Sequence, residues 1–181
     1  MTYYLAINPE KQNKLKEEID KYLKGNDPDL DVFKQMDYLD ACVNETLRLI
    51  PPVPRIERKA TSDCKLGNLF IPKDTYISIS TYAVHHDPNN FEDPDQFKPE
   101  RFLPENKHQI KPGTFLAFAD GPRNCIGMRF ALVELKYCIV KVLQKYKFVV
   151  CPETKVFSEK HKFYNSLCFY LQNYFFKILE S

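Results

Sequence analysis

The sequence predicts a mainly α-helical fold with small β-sheets, on three observations. Apolar residues recur at helical spacing in three separate segments of the chain. Residues 76–82 are instead rich in β-branched and aromatic side chains and partly alternate, which is typical of a strand. Many of the 13 prolines cluster at residues 51–54, 88–104 and 112–122, so we expect ordered, kinked loops between the regular elements.

The composition is that of a folded globular chain. The 181 residues include 44% hydrophobic and 28% charged residues, which is too apolar for a disordered chain. Lys and Arg total 26 against 24 Asp and Glu, so the formal charge of +2 gives no electrostatic case for binding nucleic acid. A chain of this length suits one domain or one piece of a larger one.

Two helices are predicted in the first 50 residues, after a short segment, residues 3–7, that resembles the end of a buried helix. Asn8 and Pro9 favour a helix start, as an N-cap and a first-turn proline. Gly25 ends this helix, whose apolar stripe is Leu15, Ile19, Tyr22 and Leu23. Asp37 or Asp40 can cap the next helix, which residues 51–52 stop and whose stripe is Leu39, Val43, Leu47 and Ile50.

Strands, loops and one further helix are predicted after residue 70. Residues 70–82 favour a strand, a turn and a second strand, and no period is visible from His85 to about Gly121. A third helix is predicted from near Met128, with a broad apolar face of Phe130, Ala131, Leu135, Cys138, Ile139, Val142 and Leu143. The aromatic-rich residues 161–181 are compatible with a docked helix, an edge strand or an unpartnered tail.

The cysteine pattern indicates reduced thiols in a cytosol-facing protein. No C-x-x-C pair is present, so we expect neither a zinc site nor a thioredoxin-like motif. The start of the chain shows no secretory signal and no run of about 20 apolar residues. A disulfide scaffold is therefore not expected. The six cysteines are Cys42, Cys64, Cys125, Cys138, Cys151 and Cys168.

Residues 118–127, Phe-Ala-Asp-Gly-Pro-Arg-Asn-Cys-Ile-Gly, carry the strongest chemical signal. Cys125 lies between two glycines and directly before a predicted helix, whose N-terminus together with Arg123 favours a thiolate. The glycines let the backbone approach the sulfur closely. Such a cysteine is either a nucleophile or a metal ligand.

The two alternatives differ in the partners that they need. A nucleophile needs a general base, and the four histidines, at 85, 86, 108 and 161, are distant in sequence, although they could still be close in space. A single thiolate without a companion Cys or His indicates a cofactor that brings its own equatorial ligands. Haem fits that description.

These residues resemble the cysteine loop of the cytochrome P450 family, whose pattern is Phe-x-x-Gly-x-Arg-x-Cys-x-Gly. Further motifs follow the order of that family: residues 45–48 resemble its Glu-x-x-Arg helix motif, residues 99–102 its Pro-Glu-Arg-Phe segment, and residues 86–94 the stretch before it. Residues 127–131 are most similar to the microsomal subgroup that oxidises drugs and other foreign compounds. The resemblance covers about residues 1–155 and implies an incomplete, C-terminal portion of the cytochrome P450 fold.

The resemblance implies that Cys125 is the proximal ligand of haem iron. Phe118 would shield the sulfur, and Arg123 and Arg58 would pair with the haem propionates. The alternative for Arg58 is an ordinary surface arginine without a role at the haem. We expect the residues that contact the cofactor to be Arg58, Phe118, Arg123, Ile126 and Gly127. No catalytic residue is expected in this chain, because the oxygen-activating helix of the family would lie before Met1.

Other residues are expected to be architectural. By the same resemblance, Glu45, Arg48 and Arg101 form a buried charge cluster beneath the haem, where an unpaired charge would be costly. His85 and His86 are expected to be loop histidines and not ligands. Two positions depart from the family pattern, Ala119 and Asp74, where glycine is common; both departures are expected to be tolerated.

The implied parent activity is NADPH- and O₂-dependent hydroxylation of a small apolar substrate, with haem b as cofactor and electrons from NADPH–cytochrome P450 reductase. The family implies the cytosolic face of the endoplasmic reticulum membrane, with membrane association only through an N-terminal segment outside this chain. A non-catalytic remnant that keeps only the haem-ligating half, and a haem-thiolate isomerase, are the alternatives. We expect residues 1–156 to belong to the cytochrome P450 domain and residues 157–181 to form a divergent aromatic tail.

Overall fold

The structure, a computed structural model, describes residues 1–154 and 174–180. In these residues the chain forms helices and three two-stranded antiparallel sheets, so the predicted mainly α fold with small β-sheets is confirmed. The α-helices are α1 (Thr2–Ile7), α2 (Pro9–Leu23), α3 (Asp37–Leu49), α4 (Thr81–His85) and α5 (Met128–Leu143). The strands are β1 (Ile56–Lys59), β2 (Cys64–Leu66), β3 (Leu69–Ile71), β4 (Tyr76–Ile79), β5 (Tyr146–Thr154) and β6 (Tyr174–Glu180).

The strands predicted within residues 70–82 form, but they do not pair with each other. β4 pairs with β1, where Ile56 lies opposite Ile79, and β3 pairs with β2. The turn between β3 and β4 contains Asp74, whose φ of 68° lies in the left-handed region that an aspartate tolerates better than most residues. α4 begins at Thr81, where the sequence pattern predicts that the strand continues.

Residues 85–121 follow the predicted irregular path, with short 3₁₀ turns at Pro99–Phe102 and, further on, Lys107–Gln109. The sequence pattern does not predict β5, which pairs antiparallel with β6. β6 corresponds to the edge-strand alternative for the last part of the aromatic-rich segment. The rest of that segment, and most of the predicted tail 157–181, lies outside the described residues.

The helix starts differ from the predicted caps. The side-chain amide of Asn8 donates to the carbonyl of Tyr4 at 2.8 Å, so it does not cap α2. Neither Asp37 nor Asp40 caps α3. The carboxylate of Glu18 on α2 instead accepts the backbone N–H groups of residues 38 and 39, at 2.9 and 2.8 Å. This cap from a neighbouring helix provides acceptors for free backbone N–H groups in the first turn of α3, and it also joins α2 to α3.

The core lies between α1, α2, α3, the second half of α5 and β5. The predicted stripes of α2 and α3 face this core. In α5 the structure corrects the predicted apolar face, because Phe130 is 75% exposed and Leu135 also lies at the surface. The buried residues of α5 are Ile139, Val140 and Leu143. In the described part of the chain, no helix combines the length and apolar content that a membrane crossing requires.

Gln12 is a buried polar residue that joins three elements. Its amide nitrogen donates to the carbonyls of Leu5 in α1 and Phe148 in β5, at 3.1 and 2.9 Å. Its amide oxygen accepts the N–H of Phe148 at 2.7 Å. The side chain therefore makes the pair of bonds that a further strand would make at this edge of β5.

We expect Gln12→Leu to lower the free energy of unfolding by about 3 kcal/mol, because buried backbone groups of Leu5 and Phe148 lose their partners. Urea unfolding of the intact protein measures this change. Asn13→Leu is the matched control on an exposed position of the same helix, and we expect it to stay within about 0.5 kcal/mol of wild type. Equal losses in the two variants would contradict the assigned role of Gln12.

Candidate functional site

Residues 118–127, called the cysteine loop below, fold back on themselves directly before α5. The backbone N–H of Cys125 donates to the carbonyl of Phe118 at 2.9 Å and closes the loop. Within the loop, the N–H of Asn124 donates to the carbonyl of Gly121 at 3.1 Å. Backbone hydrogen bonds, which are insensitive to side-chain identity, therefore fix the position of Cys125.

Cys125 lies at an open surface that includes exposed apolar side chains. Cys125 is exposed, and so are its neighbour Ile126, at 104%, and Phe130 in the first turns of α5. A Cβ atom at Gly127 would lie 3.9 Å from the Cys125 sulfur, which is ordinary contact, and the φ of Gly127, −84°, is open to any residue. Neither backbone strain nor a clash within the chain therefore explains glycine here.

The predicted cofactor contacts fall into two groups. Phe118, Arg123, Ile126 and Gly127 come together with Cys125 in the loop. Phe118 is partly buried and packs against the main core, so it anchors the loop, whereas Arg123 is exposed.

Arg58 lies apart from the loop in sequence and in secondary structure. It is half-buried in β1, and its guanidinium donates to the carbonyl of its neighbour Glu57 at 2.9 Å. The described hydrogen bond of Arg58 therefore stays within its own strand and does not reach the loop.

Ala119 occupies a strained backbone position in the loop. Its φ is 62°, in the left-handed region, and Gly121 nearby has a φ of 77°. An L-residue with a Cβ atom loses about 1–2 kcal/mol in this conformation, whereas glycine does not. The N–H of Ala119 donates to the carbonyl of Leu116 at 3.0 Å, so the strained residue takes part in the turn that leads into the loop.

The predicted charge cluster of Glu45, Arg48 and Arg101 is confirmed. Glu45 and Arg48 are fully buried and form a two-point ion pair, with Nε–Oε2 at 2.7 Å and Nη2–Oε1 at 2.9 Å. Arg101 reaches the same carboxylate with its Nε 3.4 Å from Oε1. The backbone N–H of Lys98 also donates to that oxygen, at 2.8 Å.

The remaining N–H groups of Arg48 donate to three backbone carbonyls, one at the end of α4 and two in the irregular stretch that follows it. Nη1 bonds those of His85 and Pro94 at 2.8 and 2.7 Å, and Nη2 bonds that of Gln96 at 3.2 Å. One side chain of α3 thus holds the backbone of a segment that lacks regular secondary structure. Such dense hydrogen bonding offsets part of the cost of burying the charge.

His85 is a buried residue of the site that the sequence pattern does not single out. It ends α4 and has no solvent exposure, so the expectation of a loop histidine is wrong for this residue. Its Nδ1 lies 2.9 Å from the carbonyl oxygen of Arg48, and its Nε2 accepts the N–H of Leu116 at 2.8 Å. Burial lowers the pKa of His85 to about 4, so the ring is neutral at pH 7.

The comparisons with known proteins agree with this arrangement. The family model described as "Cytochrome P450" matches residues 1–177. The chain is 50% identical over 155 residues to cytochrome P450 3A2 of Rattus norvegicus and 48% identical over 155 residues to cytochrome P450 3A13 of Mus musculus. It is also 46% identical over 157 residues to cytochrome P450 3A27 of Oncorhynchus mykiss.

The match over nearly the whole chain and the identity to these relatives show which class of protein this is. This chain belongs to the cytochrome P450 family. The aligned segments cover 85–86% of this chain, but the chain spans only about 30–31% of the length of these three relatives. The family match extends past residue 156, and the predicted division at that residue remains a prediction.

We expect Glu45→Gln to lower the free energy of unfolding by about 3–5 kcal/mol, because it leaves the buried guanidinium of Arg48 without a counter-charge. Chemical denaturation of the intact protein measures the loss. Glu57→Gln is the control, since Glu57 pairs with Arg55 at 3.2 Å with both side chains more than half exposed, and it should cost less than about 1 kcal/mol. A small loss in Glu45→Gln would contradict a structural role for the cluster.

Ala119→Gly should stabilise the protein by about 0.5–1 kcal/mol. Relief of the left-handed backbone strain outweighs the greater freedom of glycine in the unfolded state. In contrast, Ala131→Gly, within α5, should destabilise by about 1 kcal/mol because glycine weakens a helix interior. Thermal melting of both variants checks the opposite signs, and a loss of stability in Ala119→Gly would refute the strain.

Proposed function

We propose that Cys125 is the proximal ligand of haem b and that the protein containing this chain is a haem-thiolate monooxygenase. The observation that carries the proposal is the exposed thiol, fixed by a closed backbone loop at the start of α5. A lone thiolate suits a cofactor whose other ligands are its own. The exposed apolar side chains of Ile126 and Phe130 suit the face of a porphyrin.

Each loop residue has a distinct task in this proposal. Gly127 leaves the space beside the sulfur free, which accounts for glycine at a position that any residue could occupy by backbone geometry. Ile126 offers an apolar contact, and Phe118 limits the access of water to the thiolate. Arg123 and Arg58 bind the propionates, for which the fork of a guanidinium is suited.

Haem ligated by a thiolate supplies O₂ activation, because the sulfur donates electron density that favours O–O cleavage. In the proposed parent reaction, one oxygen atom of O₂ is inserted into a small apolar substrate, and the other leaves as water with two protons and two electrons from NADPH through NADPH–cytochrome P450 reductase. The proposed location is the cytosolic face of the endoplasmic reticulum membrane. The chain's own contribution is to hold the thiolate at a fixed position.

Replacement of Cys125 tests the ligand assignment in the full-length protein. Cys125→Ala should abolish the thiolate-type Soret band of the reduced, CO-bound form, because the ligand sulfur is lost. Cys138→Ala removes another exposed cysteine of the same chain, in α5, and should keep the band. An unchanged band in Cys125→Ala would exclude Cys125 as the ligand.

Turnover with and without the reductase tests the reaction class. Reductase-dependent NADPH oxidation coupled to a hydroxylated product supports the monooxygenase. Conversion of an organic peroxide without reductase would instead support the isomerase alternative. Haem binding without either activity would support the non-catalytic remnant.

A further inference from the structure

We propose that His85 is a positioning residue for the cysteine loop: its imidazole links the backbone of the buried Arg48 to Leu116, from which the loop turn begins. The inference rests on the proposed function in one respect only, namely that the loop holds the ligand of the haem iron. The contacts themselves involve this chain alone.

The first step is a reciprocal connection between Arg48 and His85. The guanidinium of Arg48 donates to the backbone carbonyl of His85 at 2.8 Å, and the ring Nδ1 of His85 lies 2.9 Å from the backbone carbonyl of Arg48. Both residues are fully buried. The ring of His85 is thus held at the end of α3, next to the Glu45–Arg48 ion pair.

The other ring nitrogen of His85, Nε2, makes the contact with Leu116. Nε2 of His85 lies 2.8 Å from the backbone nitrogen of Leu116, which can only donate. The carbonyl of Arg48 can only accept, so the two partners fix the tautomer with the proton on Nδ1. The ring also stacks on Phe115, with centroids 5.5 Å apart and planes at 15°, which fixes its orientation.

The third step leads from Leu116 to the cysteine. The carbonyl of Leu116 accepts the N–H of Ala119 at 3.0 Å, and this turn contains Phe118. The carbonyl of Phe118 in turn accepts the N–H of Cys125 at 2.9 Å. Three hydrogen bonds, joined through the backbone of Leu116 and the peptide group between residues 118 and 119, therefore connect the buried ring of His85 with the backbone of Cys125.

Two substitutions distinguish the contributions of the hydrogen bonds made by the two ring nitrogens of His85. The amide of asparagine occupies the chain position of Nδ1, whereas the amide of glutamine reaches the position of Nε2. His85→Asn can therefore keep the bond to Arg48 but loses the acceptor for Leu116. His85→Gln can offer its Oε1 to Leu116 but gives up the bond to Arg48.

The amide hydrogen exchange of Ala119 and Cys125 in the intact protein tests the proposal. In His85→Asn we expect both amides to exchange about tenfold faster, the factor that corresponds to one lost hydrogen bond, while α3 keeps its protection. In His85→Gln we expect loop exchange close to wild type. Equal exchange of the loop in the two variants, or loss confined to Leu116, would overturn the proposal and leave packing as the role of His85.

His86→Asn is the matched control. His86 follows His85 in sequence, and its Nδ1 lies 2.9 Å from the carbonyl oxygen of Tyr82, within the same short helix segment. We expect the exchange of Cys125 to be unchanged in this variant. Faster loop exchange in His86→Asn would mean that any change near α4 loosens the loop, which would also overturn the proposal.

A measurement on the wild-type protein does not depend on the folding of a variant. The imidazole ¹⁵N chemical shifts of His85 at pH 7 should correspond to a protonated Nδ1 and an unprotonated Nε2. A proton on Nε2 would remove the acceptor for Leu116 and refute the link.

The haem-bound form gives a separate readout of ligand positioning. On mild warming, the reduced, CO-bound form of His85→Asn should lose its thiolate-type Soret band sooner than His85→Gln, and equal loss would count against the proposal. If the wild-type protein has no such band, the proposed function fails, whereas the contrast in amide exchange still decides the role of His85.

Discussion

The buried ion pair of Glu45 and Arg48 joins α3 to the irregular part of the chain that leads to the cysteine loop. Two charges without solvent exposure are unfavourable unless their hydrogen-bonding capacity is filled. Here the carboxylate also accepts from Lys98 and Arg101, and the guanidinium also donates to carbonyls. The cost of burial therefore requires that α3 and the irregular stretch adopt one relative arrangement.

This requirement explains how residues 85–121 hold a defined path with little regular structure. Buried backbone carbonyls need partners, and outside helices and sheets a side chain has to provide them. Arg48 has five N–H donors in a rigid fork, which suits a task that would otherwise need a helix or a strand. The cysteine loop begins within the last residues of this stretch, so its position depends on the same contacts.

The sequence predicts the parts of the fold that depend on local pattern. The spacing of Leu15 and Ile19 gives α2, and Pro51 marks the end of α3, because helical period and proline act within a few residues. The pairing of β1 with β4 and the cap from Glu18 on α3 depend on contacts between distant residues, which no short pattern contains. The exposed face of α5 is mispredicted since apolar spacing alone does not tell a core contact from an open surface.

For the candidate site, too, the sequence indicates the residues of a local motif but not the contacts between distant residues. The loop motif singles out Cys125 and its neighbours as candidates, because glycine, arginine and cysteine at fixed spacing leave few alternatives. His85 is missed as a positioning residue because its two partners, Arg48 and Leu116, are 37 and 31 residues away. The order of the family motifs indicates only that this histidine lies near the Pro-Glu-Arg-Phe segment.

The bonds of Gln12 to Phe148 also affect how copies of this protein meet. An open strand edge invites another chain to add on, which is a common route to aggregation. At Phe148 the donor and the acceptor of that edge are already taken by a side chain from α2. A second molecule would have to displace a buried amide before it could extend the sheet there, so at this position Gln12 blocks strand addition.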